Sequence, residues 1–143
     1  MSRDERGSVT PLIIGFTLIL LVLVAVVTDA SAAFLRRQEM DSLADASALA
    51  ATDGLQGDQV YTRGLDHEQA EIDPVAAQRY VQDYLARSGA RSAYPGLDVR
   101  VVTDTNVVRV RLSAPLVLPF HVPHAGPSTT VTGDAASEVL IGR

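Results

Sequence analysis

The sequence of 143 residues contains no cysteine, no lysine and no tryptophan. The lack of cysteine excludes disulfide frameworks, thiolate zinc sites, cysteine nucleophiles and lipid attachment through cysteine. All twelve basic residues are therefore arginine, and they are scattered along a chain with a formal net charge of -5. Nucleic-acid binding proteins usually have a clustered basic face, so we predict no nucleic-acid partner.

The longest apolar segment runs from Val9 to Val27 and contains no charged residue. As an α-helix it would be about 28 Å long, close to the roughly 30 Å thickness of a bilayer's hydrocarbon core. We therefore predict that residues 9–28 form a transmembrane helix whose first partner is the lipid bilayer. Two arginines precede this segment and two follow it: Arg3, Arg6, Arg36 and Arg37. Because these counts tie, charge alone leaves the orientation open.

A cleaved signal peptide is the alternative interpretation of the same segment. Small residues at Ala30 and Ala32 offer a cleavage site after Ala32, which would release a small secreted binding domain. However, the apolar run is longer than a signal-peptide core, Asp29 separates it from the site, and helix-favouring residues continue through the site. We therefore expect a retained anchor, with Ala32 as the alternative processing site.

A second helical segment, residues 29–53, follows without a break until the turn signal Asp53-Gly54. Its predicted apolar stripe consists of Ala32, Leu35, Leu43, Ala46 and Ala50. The stretch Ser42–Ala51 is rich in small residues, which let two helices approach closely, although alanine is also simply a good helix former. The first alternative predicts contacts with other membrane proteins through this Ala-rich helix.

The remaining residues predict a small α+β domain over residues 73–143, preceded by a flexible loop at residues 54–72. Asp73 is a plausible N-cap with Pro74 in the first turn, and Gly89 closes the helix. The apolar face of this helix consists of Ala77, Tyr80, Val81, Tyr84 and Leu85.

Alternation of apolar and polar residues then predicts an antiparallel hairpin over residues 97–112, with one buried face and one face lined by arginine. A third strand is expected around Leu116–Leu118, and a closing strand between Ser128 and Ile141. A helix covering a small antiparallel sheet is an α+β arrangement.

No set of residues predicts catalysis or a cofactor. His121 and His124 form a close pair, but a metal site needs at least one more ligand, and two exposed histidines in a loop explain the pair. The acidic stretch from Asp53 to Asp73 lacks the ligand order of a calcium loop, and His67 within it has no nucleophile nearby. We predict that the chain is not an enzyme. An anchored enzyme stays the weakest alternative.

The order of segments carries a family resemblance. The junction Arg6-Gly7, a hydrophobic helix and an Ala-rich helix containing Leu43-Ala-Asp-Ala-Ser-Ala-Leu-Ala-Ala51 follow one another. This arrangement, roughly Glu5 to Asp53, resembles the TadE/TadG-like proteins of tight-adherence (Flp) pilus assembly in the form found in high-GC Gram-positive bacteria.

The resemblance implies a pilin-like or accessory protein of pilus assembly or secretion. It also implies a cytoplasmic N-terminus, residues 1–8, and an extracytoplasmic C-terminal domain. Relatives processed by a prepilin peptidase carry a Gly followed by Glu at the fifth position. Gly7 is the candidate processing site here, but Leu12 stands where that Glu would be. An uncleaved, membrane-resident accessory role therefore fits the residues better.

Overall fold

The computed structural model describes residues 9–63, 72–116 and 130–139. Three helices and three strands make up this part of the chain. The helices are α1 (Thr10–Arg63), α2 (Pro74–Arg87) and α3 (Ala90–Ala93). The strands are β1 (Asp98–Thr103), β2 (Val107–Pro115) and β3 (Thr130–Glu138), which form one antiparallel sheet in the order β1-β2-β3. The predicted α+β class, with a long N-terminal helix, is confirmed.

Helix α1 continues ten residues beyond the turn that Asp53-Gly54 predicts. Residues 54–63 are helical, so the prediction of a loop from residue 54 is wrong for this stretch. A glycine inside a helix costs only about 1 kcal/mol relative to alanine, which tertiary packing can offset. Here the ring of Tyr80 on α2 packs against Gly54 so closely that a Cβ would lie 2.6 Å from it. The glycine is therefore a contact point between α1 and α2.

The buried stripe of α1 differs from the predicted one by a rotation about the helix axis. Leu35 is 57% exposed, and Leu43, Ala46 and Ala50 are only half-buried. The fully buried residues repeat at steps of three and four and are mostly small: Met40, Ala44, Ser47, Ala48, Ala51, Thr52 and Leu55. Small side chains let the sheet approach the helix axis, and this close approach decides which stripe is buried.

Helix α2 begins as predicted. The carboxylate of Asp73 accepts a hydrogen bond of 2.9 Å from the backbone N–H of Val75, and Pro74 occupies the first turn. Ala77, Val81 and Leu85 are buried on its inner face. The helix ends at Ser88 because the next residue, Gly89, has φ of 72°, a conformation that favours glycine. The short α3 follows.

The sheet buries one face against both long helices. In β2 the buried side chains are Val108, Val110 and Leu112, and the arginines between them are exposed, which confirms the predicted hairpin with an arginine-lined outer face. Strand β2 continues to Pro115, so no separate strand begins at Leu116; residues 117 and 118 lie outside the described part. The predicted closing strand is β3.

Strand β3 packs against α1 at two points. Near the start of the strand, Gly133 lies on the backbone of Met40 and Asp41. Near its end, the hydroxyl oxygens of Ser137 and Thr52 are 3.1 Å apart. The strand therefore runs in the same direction as α1.

Candidate functional site

The apolar half of α1 is exposed to the surroundings along its whole length. Its 18-residue window of highest hydropathy has no residue buried inside the chain, and its large side chains from Val9 to Val27 are 47–71% exposed. By length and composition, this helix could cross a membrane, although a signal sequence near an N-terminus has the same properties. An uncovered apolar surface of this size indicates contact with lipid or with another protein.

The polar side chains in and just after this half have their hydrogen bonds satisfied locally. The hydroxyls of Thr17, Thr28 and Ser31 each donate to the backbone carbonyl four residues earlier, at 2.8 Å. In hydrocarbon an unsatisfied hydroxyl would cost several kcal/mol, so this pattern is compatible with a lipid environment.

A polar cluster links α1 to the outer domain at the point where the helix becomes covered. The hydroxyl of Tyr94 donates a 2.6 Å hydrogen bond to Oε2 of Glu39, and Nη1 of Arg36 lies 3.1 Å from the same oxygen. The Arg36 guanidinium also lies over the Tyr94 ring, 5.5 Å from its centroid. Burial and the hydrogen bond to Glu39 raise the pKa of Tyr94. The cluster holds Tyr94, which follows α3, against residues 36–39 of α1, where the buried part of this helix begins.

A second polar cluster connects the middle of α2 to the C-terminal part of α1. The hydroxyl of Tyr80 donates a 2.6 Å hydrogen bond to Asp58, which raises the pKa of Tyr80. Nη2 of Arg79 is 3.7 Å from the same carboxylate, and its guanidinium lies over the Tyr80 ring. Tyr80 meets α1 at residues 54–58, and Ser88, where α2 ends, lines a depression together with Gln38 and Ser42 of α1, so α2 runs antiparallel to α1.

The Ala-rich segment packs inward over half of its circumference. Ala44, Ala48 and Ala51 are buried in the core of this chain, against its own sheet and α2. The opposite side of the segment is exposed, with Leu49 55% accessible. Within the described part of the chain, the outer side of this segment is the side left open to a partner protein.

The sequence-predicted site residues have different outcomes. Ala32 lies inside α1 and is half-buried. Gly7, His67, His121 and His124 lie outside the described residues. Within residues 9–63, 72–116 and 130–139, no three His, Cys, Asp or Glu side chains come close enough to hold a metal ion.

Sequence reasoning missed the partnership of Glu39 and Tyr94. Glu39 interrupts an apolar pattern and Tyr94 precedes the turn at Pro95 and Gly96, so neither has a local signal of function. The two residues are 55 positions apart, and only the tertiary fold, which sets the residue after α3 beside α1, brings them together.

No curated protein and no solved structure gives a significant match to this chain. A protein-family model described as putative Flp pilus-assembly TadE/G-like matches residues 7–57. This range contains the apolar half of α1, the Ala-rich segment and the first part of the contact with α2. Residues 7–57 thus match the model of the Flp pilus-assembly TadE/G-like family, the family that the N-terminal part of the sequence resembles.

Proposed function

We propose that the chain is a membrane-anchored, pilin-like accessory component of Flp/Tad-type pilus assembly or secretion, and that it acts without catalysis. In this proposal residues 1–8 are cytoplasmic, residues 9–28 cross the bilayer, residues 29–53 emerge from it, and residues 73–143 form an extracytoplasmic domain. The family match supports a role in pilus assembly.

One observation carries the anchoring part of the proposal. Helix α1 is continuous from Thr10 to Arg63, and its two halves have opposite surroundings. The first half is uncovered by the described chain, and the second half supplies the core of the folded domain. A rigid connection of this kind holds the outer domain at a fixed distance and orientation from the bilayer. A structural or assembly role benefits from such positioning, whereas a freely diffusing protein does not need it.

The uncut state is favoured by the conformation around Ala32. A protease must bind an extended backbone, but Ala32 lies within α1, and Ala33 packs against the hydrophobic core. Opening the helix there would require local unfolding of both segments. We therefore propose that the anchor is retained and that the partners are other pilus or secretion membrane proteins, contacted through the outer side of the Ala-rich helix.

The intact mass of the protein extracted from its native cells tests the anchor first. We expect the full-length mass; a mass corresponding to cleavage after Gly7 would also retain the anchor and would indicate pilin-like processing. A mature protein that starts at Ala33 would contradict the anchor. Purification of the tagged full chain in mild detergent tests the role in pilus assembly or secretion. Pilus or secretion proteins should co-purify with the chain, and their absence would contradict this role.

A secreted binding domain released near Ala32 is the second candidate. It is favoured by the position of the core, because every fully buried residue of α1 lies after residue 39. A cut after Ala32 would therefore leave these core contacts in place. The mass measurement distinguishes the two candidates, since only release yields a soluble product without the apolar segment.

A further inference from the structure

The outer face of the sheet groups three arginines around one exposed apolar side chain. Arg100 on β1 and Arg109 and Arg111 on β2 are exposed there, around Val102, which is 54% accessible. These four residues, called the arginine face below, line a shallow depression of about 740 Å³. Asp134 also lines the depression, and Asp98 and Glu138 are exposed at the ends of the same sheet face, so the excess of positive charge is local to the three arginines, within a chain of net charge -5.

Two of the three arginines lack an ion-pair partner among the described residues. Arg111 pairs with Asp134 on β3. Arg100 lies directly opposite Arg111 in the strand register, and Arg109 lies opposite Val102 and Ala136. Like charges in directly opposite positions of a sheet destabilise it, so an anionic surface placed over this face would relieve a cost of the isolated fold.

The side of α1 that faces away from the sheet has the complementary character. Asp45, Leu49 and Asp53 are exposed and follow one another at steps of four, so they form one line, called the acidic ridge below. No basic residue occurs between Gln38 and Thr62. On the ridge, Leu49 lies between the carboxylates of Asp45 and Asp53, which are about 12 Å apart along the helix. On the arginine face, Val102 lies in the same way among guanidinium groups.

The two surfaces lie at the same height along α1. Strand β3 meets α1 at Met40 and at Thr52, and the residues of β2 paired with those contact points are Leu112 and Val108. Arg111 and Arg109 lie between these two levels. Asp45 and Leu49 lie in the same interval of the helix, and Asp53 follows Thr52 directly.

We propose that the acidic ridge of one copy binds the arginine face of a second copy of this chain. The inference rests on the proposed function, because anchoring both copies in one bilayer with parallel α1 helices brings the two surfaces to equal height. Val102 then meets Leu49, and Arg100 and Arg109 meet Asp45 and Asp53. The contact assigns a second copy as one partner of the outer side of the Ala-rich helix.

The contact joins different surfaces of the two copies, so it can repeat. Each molecule carries one acidic ridge and one arginine face, on opposite sides of its domain. A head-to-tail interface of this kind forms a ring if its rotation closes and an open row or filament if it does not. Exposed charge pairs are screened by salt, so the association should weaken as ionic strength rises.

Cysteine cross-linking tests the geometry directly, because the natural chain has no cysteine that could react. Two differently tagged full-length copies are produced in the same membranes, one with Leu49→Cys and the other with Val102→Cys, and treated with a short bismaleimide. We expect cross-linked dimers from this combination and ladders from a chain carrying both substitutions. No cross-linked product, or equally efficient cross-linking between two Leu49→Cys copies, would overturn the head-to-tail contact.

Charge reversal tests the proposed pairing on the same cross-linking background. Asp45→Arg with Asp53→Arg should lower the dimer yield by about tenfold, and so should Arg100→Glu with Arg109→Glu. All four substitutions in one chain should restore the yield, since each surface then meets its opposite again. Asp83→Arg, at an exposed position of α2 that belongs to neither surface, is the matched control and should leave the yield unchanged. If the fourfold variant folds, as judged by circular dichroism, and is not restored, the charge pairing is wrong.

Extraction of the same membranes with alkaline carbonate separates this inference from the proposed function. A chain that remains in the pellet but does not cross-link contradicts only the self-contact. A chain that is extracted but still cross-links contradicts the anchor and also the membrane-based argument for equal height.

Discussion

Gly133 of β3 lies on the backbone of Met40 of α1, where a Cβ would be 2.4 Å from the carbonyl carbon and oxygen of Met40. Backbone atoms in a helix cannot move aside as a flexible side chain can. Gly133→Ala should therefore push β3 away from α1 and destabilise the outer domain by about 3 kcal/mol, the upper part of the range for overpacking. Denaturant unfolding of the full chain in detergent, followed by circular dichroism, measures this loss.

Gly57→Ala is the matched control on α1. Apart from its chain neighbours and the nearby backbone of α1, no described atom lies within 4 Å of the position where its Cβ would be, and alanine is the better helix former. This substitution should stabilise the domain by about 0.5–1 kcal/mol. Equal effects of the two substitutions would contradict the close approach of β3 to α1.

Gly54 and Tyr80 should show strong energetic coupling. A Cβ at Gly54 would lie 2.6–2.7 Å from the Tyr80 ring, so Gly54→Ala must turn the ring away and break its hydrogen bond to Asp58. In the natural chain we expect a loss of about 1 kcal/mol. In a Tyr80→Ala background the same substitution should instead stabilise the helix by up to about 1 kcal/mol, since only the helix preference is left. A double-mutant cycle with additive effects would contradict this contact.

Local patterns predicted the elements with strong local signals. The Asp73 cap, the alternating residues from Val99 to Leu112 and the uncharged run from Val9 to Val27 each depend on neighbours in sequence, so α2, the hairpin and the apolar half of α1 could be identified. The family resemblance over the N-terminal part had the same basis, because its segments follow one another directly.

Long-range packing decided what the sequence could not predict. Asp53-Gly54 is a turn signal on its own, but Tyr80 from α2 occupies the space above Gly54 and keeps it helical. The buried stripe of α1 follows Ala44, Ala48 and Ala51 rather than Leu35, because small residues let the sheet approach the helix; at Met40 the close approach comes from Gly133 of β3, which has no side chain. The cluster of Glu39 with Tyr94 also depends on contacts between distant segments.

Tyr94→Phe should weaken the junction between α1 and the outer domain. It removes the hydrogen bond to Glu39 and should cost about 0.5–1 kcal/mol at neutral pH. Because burial and Glu39 raise the pKa of Tyr94 in the folded state, its stabilising effect is complete below the pKa of an unfolded tyrosine and is lost as pH rises through the folded value. The variant should therefore lose less stability than the natural chain above about pH 10.

Unfolding measured at pH 7 and at pH 10.5 tests this dependence on the Tyr94 hydroxyl. Tyr84→Phe is the matched control, because no hydrogen bond of the Tyr84 hydroxyl occurs within the described residues. Tyr84→Phe should leave the free energy of unfolding at both pH values close to that of the natural chain. Tyr80 also has a raised pKa and is still present in Tyr94→Phe. The loss of stability between pH 7 and pH 10.5 should therefore be smaller in this variant than in the natural chain, but not zero. An unchanged alkaline loss would contradict the role assigned to the Tyr94 hydroxyl.

Charged substitutions in the apolar half of α1 should release the chain from membranes. Leu20 and Leu23 lie near the middle of the proposed span, where replacing one leucine by arginine costs about 3–4 kcal/mol of insertion free energy. The whole segment favours insertion by only on the order of 5 kcal/mol, so Leu20→Arg should weaken anchoring and Leu20→Arg with Leu23→Arg should abolish it. Leu49→Arg, on the covered half of the same helix but exposed, should remain in the membrane fraction after carbonate extraction. Full retention of the double variant would mean that lipid does not hold this helix, and its exposed apolar surface would then require a protein partner within the membrane fraction.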